Sequence, residues 1–248
     1  MEPVFRTLEI VAKLAVGITG SRITYRGLKN IPASGGAVVA INHTGYVDFL
    51  PAALAAKQRN RRMRFMIKAE MARIKPLGWL INHTGTIAVD RRAGAGAYAA
   101  AVDSLRRGEL VGVYPEATIS RSFELKEFKS GAVRMALEAQ VPIVPLIVWG
   151  AQRLWTKDNP KALGRSKIPI SVAIGEAIRP NGTVEELTAV MRSDMTELLG
   201  AVQTDYPRPQ GAFWLPHRLG GGAPTPAQAQ SLDQAELAER ARRRGDRE

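Results

Sequence analysis

Short apolar runs alternate with helix-period segments along most of this chain, and that alternation restricts the fold more than any other feature. The runs Ile23–Tyr25, Ala37–Ile41, Arg64–Ile67, Thr86–Val89, Leu110–Tyr114, Ile143–Trp149 and Ile168–Ile174 have the length and composition of strands. Between them, Val47–Ala56, Ala69–Arg73, Leu77–Asn82, Gly96–Arg107, Ser130–Ala139 and Val184–Leu199 read as helices. Thr183 is a good N-cap there, and Glu186 three residues on completes a capping box. Strands and helices in alternation predict an α/β fold, a central mixed sheet flanked by helices.

Two flanking segments differ from this body. Residues 1–20 read as an amphipathic helix, with Val4, Leu8, Val11, Ala12, Ala15 and Ile18 at helical spacing and Arg6, Glu9 and Lys13 on other faces. Such a helix either packs on the domain or lies in a membrane interface. From about Tyr206, Pro207, Pro209, Gly211, Pro216, Gly220–Gly222, Pro224 and Pro226 break regular structure, so residues 206–248 read as an irregular C-terminal extension. Within it Ser231–Arg244 has the pattern of a short charged helix, and Arg242–Arg244 reads as a solvated end. Residues 21–205 are then the one domain, large enough to bury a sizeable core.

The net charge of +12 implies an anionic partner: nucleic acid, an anionic membrane surface or a phosphorylated substrate. Lys57, Arg59, Arg61, Arg62, Arg64, Lys68, Arg73 and Lys75 lie close together with Glu70 as the one acid among them. Nucleic-acid binding would need aromatic residues interleaved with this cluster, and the stretch offers Phe65. There is no cysteine, which excludes thiol nucleophiles and thiolate metal sites. Leu8–Gly20 is too short to span a bilayer and carries Glu9 and Lys13, and no signal-peptide order is evident; the expectation is a chain that is not exported.

Four short blocks carry the chemistry. In the first, His43 leaves a strand and Asp48 follows after four residues. A carboxylate at that spacing can fold back on the imidazole, fix its tautomer and let it take a proton from an alcohol. A plain strand-to-helix turn, with Asp48 in the first helical turn, has the same pattern. Ile-Asn-His-Thr-Gly recurs at 81–85, but five positions after His83 stands Ala88, so His83 reads as structural or pocket-lining. The second block runs from Gly85 to Arg91 and Arg92, whose guanidinium forks suit phosphate oxygens or a surface pair. The third, Tyr114-Pro115-Glu116-Ala117-Thr118-Ile119-Ser120-Arg121-Ser122, closes a strand with a carboxylate, hydroxyls and a cation, where open α/β sheets place function. The fourth, Val141-Pro142-Ile143-Val144-Pro145, is all shape, either core or a wall for an acyl chain.

In order, these blocks resemble the four motif blocks of the glycerolipid acyltransferase family, specifically the 1-acylglycerol-3-phosphate (lysophosphatidate) acyltransferases. His43 and Asp48 match the His-(four residues)-Asp block, Gly85 and Arg91 the second, and Tyr114, Pro115, Glu116 and Thr118 the third. The fourth is intact, and Phe128-Lys129-Ser130-Gly131 resembles the stretch that follows the third. The match covers about Ile23 to Gly175. Ala88 stands where the family has an aromatic, Ala117 where it has glycine and Ile119 where it has arginine, a cation that Arg121 could supply from two positions later.

The resemblance implies acyl transfer from acyl-CoA or acyl-carrier protein to the free hydroxyl of a lysophospholipid. His43 would be the general base and Asp48 its orienting carboxylate. Lys68, Arg91 and Arg121 would bind the acceptor's phosphate, with Gly85 and Thr118 beside them, and Glu116 would position the glycerol. Backbone amides near Gly45 or Thr118 are candidates for the oxyanion hole. It implies no cofactor and no metal, an anionic membrane surface and lysophosphatidic acid as partners, no nucleic acid, and a peripheral or monotopic place on the cytoplasmic face of the cell membrane. Another acceptor, glycerol 3-phosphate or a different lysophospholipid, is the alternative reaction. A non-catalytic anionic-membrane-binding module is the alternative class.

Overall fold

In the computed structural model the described residues are 10, 14, 16–68, 86–89 and 94–245. They form a seven-stranded mixed sheet covered by helices. The strands are β1 (Arg22–Arg26), β2 (Ala37–Ile41), β3 (Met63–Lys68), β4 (Ile87–Val89), β5 (Leu110–Val113), β6 (Ile143–Trp149) and β7 (Pro169–Ile174). The helices are α1 (Phe49–Gln58), α2 (Gly94–Arg106), α3 (Gly131–Ala139), α4 (Val184–Thr204) and α5 (Pro226–Gly245). The strand order is β1-β7-β6-β2-β5-β3-β4. β6, β2, β5, β3 and β4 run parallel, while β7 is antiparallel to β6 and carries β1 parallel to itself.

The central strands explain why the alternation was readable. Every residue of β2, β5 and β6 is buried, so these strands are continuous apolar runs, as parallel strands covered on both faces must be. One layer of core joins β2, β5 and β6 to α2, α3 and α4 through Val38, Leu105, Val133, Ile147, Met191 and Met195. The other packs Val39, Ile41, Leu146 and Val172 against Ala52, Ala55 and Ala56 of α1. The fourth sequence block belongs to this interior. Ile143 and Val144 are fully buried, and Val144 pairs in register with Val39, so core packing accounts for the block.

α4 begins with the expected capping box: Thr183 Oγ1 accepts the Glu186 amide at 3.1 Å and Glu186 returns the bond to the Thr183 amide at 2.8 Å. It continues to Thr204, five residues past the expected end, because Val202 and Gln203 extend its buried stripe. The expected helices over Ala69–Arg73 and Leu77–Asn82, with His83, lie outside the described residues, as does most of the N-terminal segment. Of that segment Ile10, Leu14 and residues 16–19 are helical, and the side chains of Ile10, Leu14 and Ile18 are exposed. Among the described residues, no helix is long and apolar enough to cross a membrane.

The C-terminal region departs most from expectation. Pro and Gly do break it into turns, yet it is not a loose extension. Tyr206, Trp214, Leu215 and Ala223 are buried in the same core cluster as Trp149 and Met191. Trp214 meets Tyr206 edge to face at 5.5 Å and receives the Arg153 guanidinium over its face at 4.4 Å. The charged helix also starts earlier than read. Gln228 Oε1 accepts the Thr225 amide at 2.9 Å, Thr225 Oγ1 accepts that of Gln228 at 3.3 Å, and Pro226 stands at the first helical position.

Candidate active site

β2 and β5 are parallel neighbours, so the segments that follow them emerge on the same edge of the sheet. His43 comes two residues after β2 and Tyr114 directly after β5. Their rings stack with centroids 4.1 Å apart. Asn42 anchors the turn to the next strand: its side-chain amide donates to the Val148 carbonyl at 3.0 Å and accepts from the Val148 amide at 2.7 Å. That two-way clasp was not read from the sequence, since it joins positions 106 residues apart.

Asp48 folds back as the spacing requires. Its Oδ2 lies 3.3 Å from His43 Nδ1 and also accepts the amides of Thr44 at 2.8 Å and Gly45 at 2.7 Å. The carboxylate is fully buried, while the His43 side chain retains 19% exposure. With Nδ1 facing Asp48, Nε2 is the ring nitrogen not engaged by the carboxylate. The turn is tight enough to demand glycine at position 45: a Cβ there would come within 2.9 Å of the Trp155 carbonyl. Both amides proposed near Gly45 are thus spent on Asp48. The Thr118 amide is likewise engaged, with the Glu116 carbonyl at 2.8 Å, so neither candidate for an oxyanion hole is available in this conformation.

Glu116 is 4% exposed, and both of its oxygens go to backbone. Oε1 accepts the His43 amide at 2.8 Å and Oε2 the Lys126 amide at 3.0 Å. Glu116 therefore ties the His43 turn to the loop after β5, a role that was not read from the sequence. Ser120 adds a second tie, its amide donating to the His43 carbonyl at 2.8 Å. Ala117 holds φ at +60°, the left-handed region that glycine enters without cost, which explains the strain this substitution carries.

The expected phosphate ligands divide. Thr118 Oγ1 is present at the rim and accepts from Lys126 Nζ at 2.7 Å. Arg121 is 8% exposed and already paired, with Asp158 at 2.5 Å, Glu236 at 2.9 Å and Asp233. As the structure stands it is not open to a phosphate. Gly85 and Arg91 lie outside the described residues. The Lys68 backbone ends β3 opposite Val89 of β4, two residues before Arg91. The basic cluster is also less of a solvated face than its charge implied. The Arg61 guanidinium binds the carbonyls of Pro32, Gly35 and Gly108 at 2.7–2.8 Å, and Arg64 pairs with Glu109 at 2.8 Å. Among the described residues no group of His, Asp and Glu is arranged to hold a metal ion.

A family model described as Acyltransferase matches residues 22–149, just over half of the chain. The chain belongs to the acyltransferase family. Curated relatives are called 1-acyl-sn-glycerol-3-phosphate acyltransferase. The one from Borreliella burgdorferi is 26% identical over 62% of each chain. That from Bacillus subtilis is 31% identical over 49% of this chain and 60% of its own. An alpha form from Mus musculus is 27% identical over 82% of this chain and 71% of its own. The chain thus spans about three fifths of the bacterial relatives' length. The crystal structure of the 1-acyl-sn-glycerophosphate (LPA) acyltransferase PlsC from Thermotoga maritima has the same fold, with a TM-score of 0.69 at 22% identity over 82% of this chain and 80% of that one. The acyltransferase match begins at β1 and ends at β6, so it contains the His43 turn, the Glu116 loop and the sheet that joins them.

Proposed function

We propose that this acyltransferase moves a fatty acyl group from acyl-CoA or acyl-carrier protein to the free hydroxyl of 1-acylglycerol-3-phosphate, giving phosphatidic acid. The observation that carries the reading is His43 on a buried Asp48, at the carboxyl edge of two parallel strands. The names of the relatives supply the acceptor.

A free alcohol is a poor nucleophile at neutral pH. His43 Nε2 takes its proton as the oxygen attacks the thioester carbonyl, and the imidazolium then gives that proton to the departing thiolate. Asp48 holds Nδ1–H and stabilises the transient positive charge. The hydroxyl belongs to the substrate, so no acyl-enzyme forms. Lys68, Arg91 and Arg121 are the proposed phosphate ligands, with Thr118 and Gly85 beside them. No resident cofactor or metal is required, since the acyl donor arrives activated as a thioester.

The acceptor is an amphiphile, so the reaction belongs at a membrane, here proposed as the cytoplasmic face of the cell membrane. Ile10, Leu14 and Ile18 recur at four-residue spacing and are exposed, as are Tyr46 and Phe49 on the rim of the dyad. Exposed apolar side chains at helical spacing, and others on the rim of the dyad, favour peripheral attachment to a bilayer.

The test is thiol release from palmitoyl-CoA in the presence of lysophosphatidic acid vesicles. His43→Ala should lower turnover by about 10²–10⁴-fold, and Asp48→Asn should also cut kcat. Undiminished turnover in His43→Ala removes the reading.

A further inference from the structure

α5 is attached to the body in an unusual way. A surface helix ordinarily buries an apolar stripe. Here the inward stripe is Ala229, Asp233 and Glu236, and Ala229 is its one buried apolar residue, while Leu232 and Leu237 point outward. Asp233 and Glu236 meet three cations of the body. Arg121 binds both carboxylates, Lys126 binds Asp233, and Lys157 lies 2.8 Å from Glu236 and 3.6 Å from Asp233. The helix is docked by charge.

Those cations stand at the rim of the dyad. Arg121 follows Ser120, whose amide holds the His43 carbonyl, and Lys126 also donates to Thr118 Oγ1. Glu236 reaches the same region. Burial first, then the Glu236 and Asp158 charges, raise the phenol of Tyr46, three residues from His43. Burial alone would raise the Glu236 carboxyl, yet Lys157 and Arg121 outweigh it and hold it at about 2. Both carboxylates are therefore ionised at neutral pH and together carry two negative charges. A phosphomonoester carries about −1.5 to −2 near pH 7 and offers three acceptor oxygens. One can replace the other without a change in the charge balance of Arg121, Lys126 and Lys157.

We propose that Arg121, Lys126, Lys157 and Thr118 form a phosphomonoester site, and that α5 occupies it in cis as an autoinhibitory lid through Asp233 and Glu236. The inference rests on the acyl-transfer reading for its location and names the regulation of that same site. Entry of the phosphate displaces the two carboxylates and releases α5. The phosphate can belong to the acceptor lipid or to the 3′-phosphate of the CoA donor, and both are the same chemistry.

The full chain is followed by hydrogen exchange with lysophosphatidic acid vesicles, with lysophosphatidylcholine vesicles, with free CoA, and with chloride at matched ionic strength. Faster exchange over 226–245 with lysophosphatidic acid or CoA, and not with the other two, is the expected result, and the responding ligand identifies the phosphate's source. In parallel, Asp233→Asn/Glu236→Gln should lower KM for the phosphorylated substrate about threefold or more, because the open site is no longer populated only in part. Its kcat should stay unchanged. Exchange over 226–245 that ignores both phosphomonoesters overturns the lid, even if the variant folds poorly and its KM cannot be compared. If turnover is present and needs His43 while α5 stays protected, the lid fails and the acyl-transfer reading stands. If turnover is absent while phosphomonoesters release α5, the reading fails and the lid stands.

Discussion

The Glu116 carboxylate accepts two backbone amides, and yet its proton affinity is high. Burial pushes it up to about 7, with the nearby Asp48 adding to the rise, against the two amide bonds and the Lys126 charge. A raised carboxyl pKa means that the folded state binds the proton more tightly than the unfolded chain does. The stabilisation is fully present below the ordinary value of 4.5 and is lost as pH climbs through about 7. At about 1.4 kcal/mol per unit, the loss across that window is on the order of 3 kcal/mol. Glu116→Gln cannot titrate, so urea unfolding should show a pH dependence between 4.5 and 7 that is flatter than in the parent protein by about that amount. Equal slopes would place the titration elsewhere. Residues also show where sequence reading succeeds. The contact between His43 and Asp48 was legible because it is closed by a local turn. The tie from Glu116 to the His43 turn was not legible, because the amide it holds is 73 residues away. The pairing of Arg121 was not read because its carboxylates stand 37, 112 and 115 residues later.

Elements were legible where their signals are local. All seven strands were placed to within a residue or two. In β2, β5 and β6 burial on both faces leaves an uninterrupted apolar run, while β1 alternates between exposed and half-buried positions. The Thr183–Glu186 box fixed the start of α4 because cap and partner are three residues apart. The cap satisfies two orphan amides at an exposed end, so Thr183→Ala should cost about 1 kcal/mol of unfolding free energy, read as a lower urea midpoint with no change in m-value. Loss of well under half that amount would mean that packing of Leu187, Met191 and Met195 sets this helix end without the cap. The start of α5 carried the same kind of signal in Thr225-Pro226-Ala227-Gln228, and it was overlooked among the prolines. Helix ends without such a device were misjudged: α4 runs on to Thr204 because Val202 has a tertiary contact to fill.

At the scale of the molecule, the misreading concerns where the domain ends. Pro and Gly after Tyr206 correctly signalled the loss of regular structure, but irregular backbone is compatible with a buried position. What decides burial is the side chains it carries, and this stretch carries Trp214 and Leu215 against Trp149, Tyr206 and α4. A window of sequence cannot show that, because the surface they cover is made by β6 and α4. The consequence is measurable. Trp214 is 5% exposed and combines apolar burial, an edge-to-face contact and a guanidinium over its ring. Replacing a core aromatic with alanine removes transfer energy and leaves a cavity, typically about 3–5 kcal/mol. Trp214→Ala should therefore lower the unfolding free energy by about that amount in a single cooperative transition. A detachable tail would instead leave the stability within about 0.5 kcal/mol of the parent, as surface substitutions do. Because α5 follows this anchor closely, the same variant should also free α5 in hydrogen exchange, whereas Asp233→Asn/Glu236→Gln should free α5 and leave the global unfolding midpoint nearly unmoved. The two variants separate the segment that completes the core from the helix that covers the site.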